Sequence, residues 1–150
     1  MTVREQIFRD EGGLRLLPYM DCCRRPRLAC RCEKPGSLTV GVGHNLDAKP
    51  LARRVLDLQY DVDLADAVAD VARVLPWALE LDPGRRGVLE ALVFNMGIGS
   101  LISKNPKMLA ALKAGEHAAA KRELLDGPYK IQVGPRAFRL AEQLLTGEIQ

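Results

Sequence analysis

Glu11 stands immediately before Gly12-Gly13, at the end of a short stretch that reads as a helix over residues 2–11. Val3, Ile7 and Phe8 fall on one stripe of that stretch, and the glycine pair stops it. The negative end of a helix dipole disfavours ionisation of a carboxylate placed there. A carboxyl group that keeps its proton near neutral pH is what a general acid requires. Further along, Asp21 supplies a second carboxylate. Beyond it, Leu38-Thr39-Val40-Gly41-Val42-Gly43 alternates with period two and predicts a strand. Leu38, Val40 and Val42 are expected to face a core, and Thr39, Gly41 and Gly43 the opposite side. That second face has one hydroxyl and two positions without side chains, a groove floor that admits a bulky ligand close to the backbone. Two carboxylates and a hydroxyl on one cleft are the minimum equipment for glycoside hydrolysis. Taken singly, each signal has a plainer alternative: a surface glutamate, and a glycine-weakened strand packed under another element.

The rest of the chain must position these groups. From Leu14 to Tyr19 it is apolar and turns at Pro18, and the segment with Pro26, Pro35 and Gly36 reads as loop or irregular hairpin. After Pro50 the pattern is helical. Leu51–Leu75 carries Val55, Leu58, Val62, Ala65, Val68, Ala72 and Leu75 at spacings of three or four, as one long helix or two. Asp82-Pro83 predicts the start of a helix that runs to about Met96. Met108–Ala114, His117–Leu125 and Pro135–Leu145 are three more, separated by Gly115 and Gly127 and closed by Gly147. Trp77 reads as a core anchor and His117 as an exposed residue. The predicted fold class is α+β, mainly α. One domain over 1–150 is expected, with a small β-containing lobe at about 12–50 and a larger helical lobe from 1–11 and 51–150, joined by the long helix.

A chain of 150 residues with 47% apolar side chains can bury a real core, which excludes disordered, collagen-like and coiled-coil architectures. One Trp, three Tyr and three Phe argue against a protein whose work is stacking on bases. The net charge of +3 is concentrated. Arg24, Arg25, Arg27, Arg31 and Lys34 against Glu33 alone give the 22–36 insertion a local +4, leaving −1 elsewhere. Such a patch suits an anionic polymer, or is simply a solvated loop. No run approaches the ~18 apolar residues of a membrane span, and the N-terminus lacks the apolar stretch of a signal peptide. Synthesis as a soluble cytoplasmic protein is expected.

All four cysteines, Cys22, Cys23, Cys30 and Cys32, fall inside this insertion. The spacing is not the paired C-x-x-C of a zinc ribbon. Three states stay open: thiolates on one structural zinc ion, one or two disulfides formed after release from the cytoplasm, and four free thiols. Adjacent Cys22 and Cys23 are poorly placed to bond to each other, so each would pair with Cys30 or Cys32.

Asp10-Glu11-Gly12, Leu14-Arg15-Leu16, Tyr19, Asp21 and Leu38-Thr39-Val40-Gly41-Val42-Gly43-His44 together resemble the signature of phage-type lysozymes, the endolysins. The resemblance continues through Asp61-Val62-Asp63, Phe94-Asn95-Met96-Gly97, Lys107-Met108-Leu109 and Gly134-Pro135-Arg136, and so spans nearly the whole chain. The Cys/Arg insertion departs from it, since many members have only a tight turn there. What the resemblance implies is a lysozyme-like fold with a cleft between lobes and cleavage of the β-1,4 bond between N-acetylmuramic acid and N-acetylglucosamine in peptidoglycan. Glu11 would be the general acid, and Asp21 with Thr39 would hold and activate the attacking water, with inversion. Phe94, Asn95 and Asn105 match cleft-lining positions, His44 or Asn45 the cleft edge after the strand, and Arg136 a guanidinium near the general acid. No catalytic cofactor is implied.

His44 shares the parity of Leu38, Val40 and Val42 and should face inward, where the matching Asp61 is its expected ion-pair partner. The implied setting is a monomer acting on the cell wall after holin-assisted release to the periplasm, causing host lysis. An anionic envelope polymer is a candidate partner for the basic loop, and nucleic acid is not expected. Two competitors are weighed. A lytic transglycosylase needs no water-holding Asp/Thr pair. A Cys/Arg zinc module binding nucleic acid would leave Glu11, the strand and the helices unexplained.

Overall fold

Thr2 opens the first helix with a reciprocal cap: its hydroxyl accepts from the Glu5 backbone N–H at 3.2 Å, and its own N–H donates to Glu5 Oε2 at 2.7 Å. This helix, α1, covers Val3–Asp10. The computed structural model describes residues 2–127 and 134–150 and divides into two compact units, Met1–Asp57 and Leu58–Gln150. It is mainly helical, with seven α-helices among the described residues and one three-stranded antiparallel sheet. α1 belongs to the first unit, with the sheet, whereas the sequence reading groups it with the helical lobe.

In the first unit, β1 (Arg15–Met20), β2 (Leu38–Gly41) and β3 (His44–Asn45) lie in that order across the sheet. β1 pairs with β2 through Tyr19 opposite Thr39 and Met20 opposite Leu38, then loses register before Arg15 meets Gly41. Pro18 lies inside the break, where it has no N–H to give to a ladder. The 14–19 stretch is thus a strand and not only a turn. Its alternation is masked by Pro18 and by the exposed pair Leu16 and Leu17.

β2 ends at Gly41, and Val42-Gly43 form the turn into β3. Gly41 and Gly43 flank Val42 at φ +67° and +69°, values that favour residues without a Cβ. Cross-strand partners share a face, so His44, opposite Val40 on β3, keeps to the Leu38–Val40 side as its parity predicts. The expected burial does not hold: Thr39 is 4% exposed, while Leu38, Val40 and Val42 are half-buried. Thr39 is on the central strand, between Tyr19 and Asn45, and lies beneath the side chains described below.

α2 (Arg53–Val74) is a single helix, and a 3₁₀ turn at Pro76–Glu80 follows it. Trp77 in that turn packs, half-buried, against the core of the second unit. α3 (Pro83–Met96) starts where Asp82 caps it, with Oδ1 accepting from the Arg85 N–H at 3.0 Å and Pro83 fitting the first turn. Gly97, at φ +77°, breaks the chain sharply into α4 (Ile98–Lys104), a helix the sequence reading left out. α5 (Pro106–Lys113), α6 (His117–Asp126) and α7 (Pro135–Thr146) complete the unit. His117 is half-buried rather than exposed. Val88, Leu89, Leu92, Leu101, Met108 and Leu124 form the centre of one apolar core. A polar clamp joins α3 to α7. Arg85 pairs with Asp82 at 2.6 Å and donates to the carbonyls of Leu144 and Leu145 at 2.9 and 2.6 Å, and Gln143 donates to the Gly84 carbonyl at 2.8 Å. Among the described residues, no single helix is long and apolar enough to cross a membrane.

Candidate active site

Glu11 ends α1 as its C-cap, and its N–H donates to the Ile7 carbonyl at 2.9 Å. Gly12 and Gly13, at φ +78° and +81°, then turn the chain back toward β1. The Glu11 carboxyl group lies against the β2–β3 turn. A Cβ on Gly43 would fall 2.5 Å from its Oε2, so the glycine leaves the space the carboxyl group occupies.

Asp21 follows directly after β1 and is fixed from two directions. Its N–H donates to the Ser37 carbonyl at 3.0 Å, and its Oδ1 accepts from the Ser37 N–H at 2.9 Å. A Cβ on Gly36 would come within 1.7 Å of that oxygen. Thr39 donates its hydroxyl to the same Ser37 carbonyl at 3.3 Å. Ser37 therefore links the second carboxylate to the hydroxyl.

These three residues share one cavity of about 250 Å³ with Tyr19, Arg24 and Asn45. Gly43 completes the rim. Asn45 lines this cavity with its Oδ1 engaged in the following turn, accepting from the N–H groups of Asp47 and Ala48, both at 3.0 Å. His44 places Nε2 3.0 Å from the Lys49 carbonyl, within its own unit. Arg24 is the lining residue that the sequence does not point to for this site. Arg24 is hidden in a run of like charges, and its position depends on a left-handed backbone, φ +57°, which sequence does not announce. Its guanidinium lies where a Cβ on Gly12 would be, 2.5 Å from Nη1.

The remaining expected residues lie in the second unit, where Phe94 and Asn105 line two different cavities. Phe94 is 40% exposed and meets Tyr60 edge to face, with ring centroids 5.6 Å apart. It lines a cavity of about 270 Å³ with Asp63, Asp66 and Asp70. Asn105 is 5% exposed, with Nδ2 donating to the Leu101 carbonyl at 3.4 Å, and it lines a different cavity of about 430 Å³ with Lys107, Glu123 and Asp126. Asn95 is exposed near the end of α3, and Arg136 is half-buried in the first turn of α7. Asp61 is exposed on α2.

The four cysteines converge. Their Sγ atoms all lie within 4.8 Å of one another, and Cys22 and Cys30 are 3.7 Å apart. None is bridged, and the cluster is close enough to hold a metal ion. The Cys32 thiol is pushed up to about 12, first by its hydrogen bond with Cys22, then by burial and by Cys23 and Cys30.

No family model matches the chain. Over 178 residues it is 28% identical to the pre-baseplate central spike protein Gp5 of Enterobacteria phage T4. That alignment covers all of this chain and 28% of the phage protein's own length.

Proposed function

We propose that the chain is a lysozyme-like glycoside hydrolase that cuts the β-1,4 bond between N-acetylmuramic acid and N-acetylglucosamine in peptidoglycan, as a phage endolysin does. The observation that carries this reading is the convergence of Glu11, Asp21 and Thr39 on one cavity. Glu11 donates its proton to the leaving glycosidic oxygen. Asp21, held by Ser37, accepts a proton from a water that Thr39 helps to orient, and that water attacks the anomeric carbon. The product inverts, which needs the two carboxyl groups roughly 6.5–9.5 Å apart. Phe94, Asn95, Asn105 and Arg136 are the further residues assigned here to contact with the glycan. Access to the wall from the cytoplasm would require a holin.

The test is release of reducing ends from purified peptidoglycan. The protein should produce them, and Glu11→Gln should not, with circular dichroism unchanged. Anhydro-muramic termini in place of reducing ends would make the enzyme a transglycosylase and remove the water from the mechanism. The likeness to a central spike protein favours a second reading of where the same chemistry is used: on the virion, during entry, rather than at lysis. Detection of the chain in purified particles decides between the two.

A further inference from the structure

The insertion at 22–36 is the part of the chain that the proposed reaction leaves without a task, and it holds the densest group of metal-ligating atoms among the described residues. We propose that Cys22, Cys23, Cys30 and Cys32 bind one zinc ion as a closed tetrathiolate site, which fixes Asp21 through its bond to Cys22. The second half of this inference rests on the catalytic reading above. The first half does not.

Three observations carry it. The first is mutual proximity. Two disulfides need only two close pairs, whereas here every Sγ is within 4.8 Å of every other. Four sulfurs at about 2.3 Å from one tetrahedral ion lie about 3.8 Å apart, and Cys22 and Cys30 are already at 3.7 Å. The adjacent pair Cys22-Cys23 reaches a common point because the backbone bends there. The N–H groups of Cys23 and Arg24 both turn back to the Met20 carbonyl, at 3.3 and 2.7 Å, and Arg24 takes a left-handed φ. A 3₁₀ turn at Arg27–Ala29 then brings Cys30 back toward Cys22.

The second observation is charge. Four thiolates around Zn²⁺ leave a centre of −2, which needs nearby cations. The insertion carries a local +4, and a zinc centre lowers it to +2. Arg31 is already folded into the loop, with Nη1 donating to the carbonyls of Leu28 and Cys30 at 2.8 and 2.9 Å. The arginines thus have a local partner in the metal centre, without a polyanion.

The third is the ligand set. Four soft sulfur donors with no fifth position for water suit structural zinc rather than a hard cation. Binding expels the four thiol protons to solvent and oxidises nothing.

The mechanical consequence follows from the chain. Asp21 precedes the first ligand, and Gly36-Ser37, just past the last, grip its carboxylate. A metal that closes the loop therefore fixes both sides of the Asp21 site.

The experiment starts with wild-type protein purified without chelator. Elemental analysis should find one zinc per chain. After removal of the metal, Co²⁺ should titrate to one equivalent with the absorption of a tetrahedral thiolate site, and Cys32→Ser should weaken Zn²⁺ binding at least tenfold. Zinc far below one per chain overturns the site, whether thiol counting finds four free thiols or disulfides. Chelation should lower kcat on a soluble glycan oligomer at least tenfold with KM little changed, and added zinc should restore it. One zinc per chain with kcat indifferent to chelation would refute the positioning of Asp21 while leaving the metal site standing. One zinc per chain in a protein that never releases sugar ends would instead refute the catalytic reading.

Discussion

Gly43→Ala adds one carbon at a place where the Glu11 carboxyl group leaves no room, and Gly41→Ala supplies the matched control. Both glycines have left-handed backbones, φ +69° and +67°. Alanine at either position should cost about 1–2 kcal/mol in backbone strain, lowering the melting temperature by roughly 2–8 °C for a chain of this size. They differ in what the new carbon meets. At Gly41 nothing lies within 4 Å, while at Gly43 the Cβ would be 2.5 Å from Glu11 Oε2 and 2.7 Å from its Cδ. Contacts this close are repulsive, so the carboxyl group must retreat by at least about 0.5 Å. It is the end of a flexible side chain, so it retreats cheaply and the fold loses little more than in the control. Catalysis should not be so tolerant, since a displacement near 1 Å can cost on the order of 100-fold. We expect Gly43→Ala to lose 10- to 100-fold in the rate of reducing-end release, roughly 1.4–2.7 kcal/mol of transition-state stabilisation. Gly41→Ala should stay within about threefold of wild type by this estimate. Both rates are to be measured well below either melting point, with thermal melts recorded in parallel. Equal losses in the two variants would attribute the effect to strain alone, and near-wild-type activity in Gly43→Ala would refute the claim that Glu11 must sit where it does.

Asp21→Ala should reduce turnover more than Thr39→Ala on purified peptidoglycan, because the carboxylate takes the proton and the hydroxyl only orients the water; the reverse order would undo that division of roles. Gly84→Ala should destabilise by about 1–3 kcal/mol, since its Cβ would come 1.8 Å from the Gly147 carbonyl oxygen. Gly99→Ala, with open space around it, should be neutral or slightly stabilising in a chemical melt. Burial opposes ionisation of Asp82, but the Arg85 N–H and guanidinium outweigh it and hold the carboxyl below its ordinary value. Its contribution is therefore complete above about pH 3.9 and fades as pH falls through the lowered folded value. Asp82→Asn keeps the cap, so it should cost under about 1 kcal/mol near neutral pH. That difference should vanish in acid, and a gap that widens there would contradict the ion pair.

The elements that were legible in sequence announce themselves locally. Asp82-Pro83 states a helix start, and the stripe from Val55 to Leu75 states a helix, because cap and period act within a few residues. α4 is not legible, since Gly97 and Gly99 depress its propensity while the burial of Leu101, a tertiary fact, holds it in place. β1 fails for a similar reason, because Tyr19 pairs with Thr39 across an insertion whose path the sequence does not give. In the candidate site, Glu11, Asp21 and Thr39 were legible as types in order. Arg24, Ser37 and Gly36 were not, because each acts through backbone geometry at the neck of the insertion. Thr39 lines the cavity as a buried residue rather than on the open face that the alternation predicts.

The clamp between α3 and α7 also sets a timetable for synthesis. In the first unit, the farthest strand partners are Arg15 and Gly41, so its sheet can pair as soon as the early part of the chain has left the ribosome. Arg85 has to wait for Leu144 and Leu145, and Gly84 for Gln143, before the second unit can be latched. At ordinary translation speeds that interval is on the order of ten seconds. During it, the faces of α3 that will meet Ala141 and Leu144 have no partner. A nascent chain stalled within α6 should therefore leave the second unit protease-sensitive, and the apolar surface exposed in that interval is where a chaperone would bind.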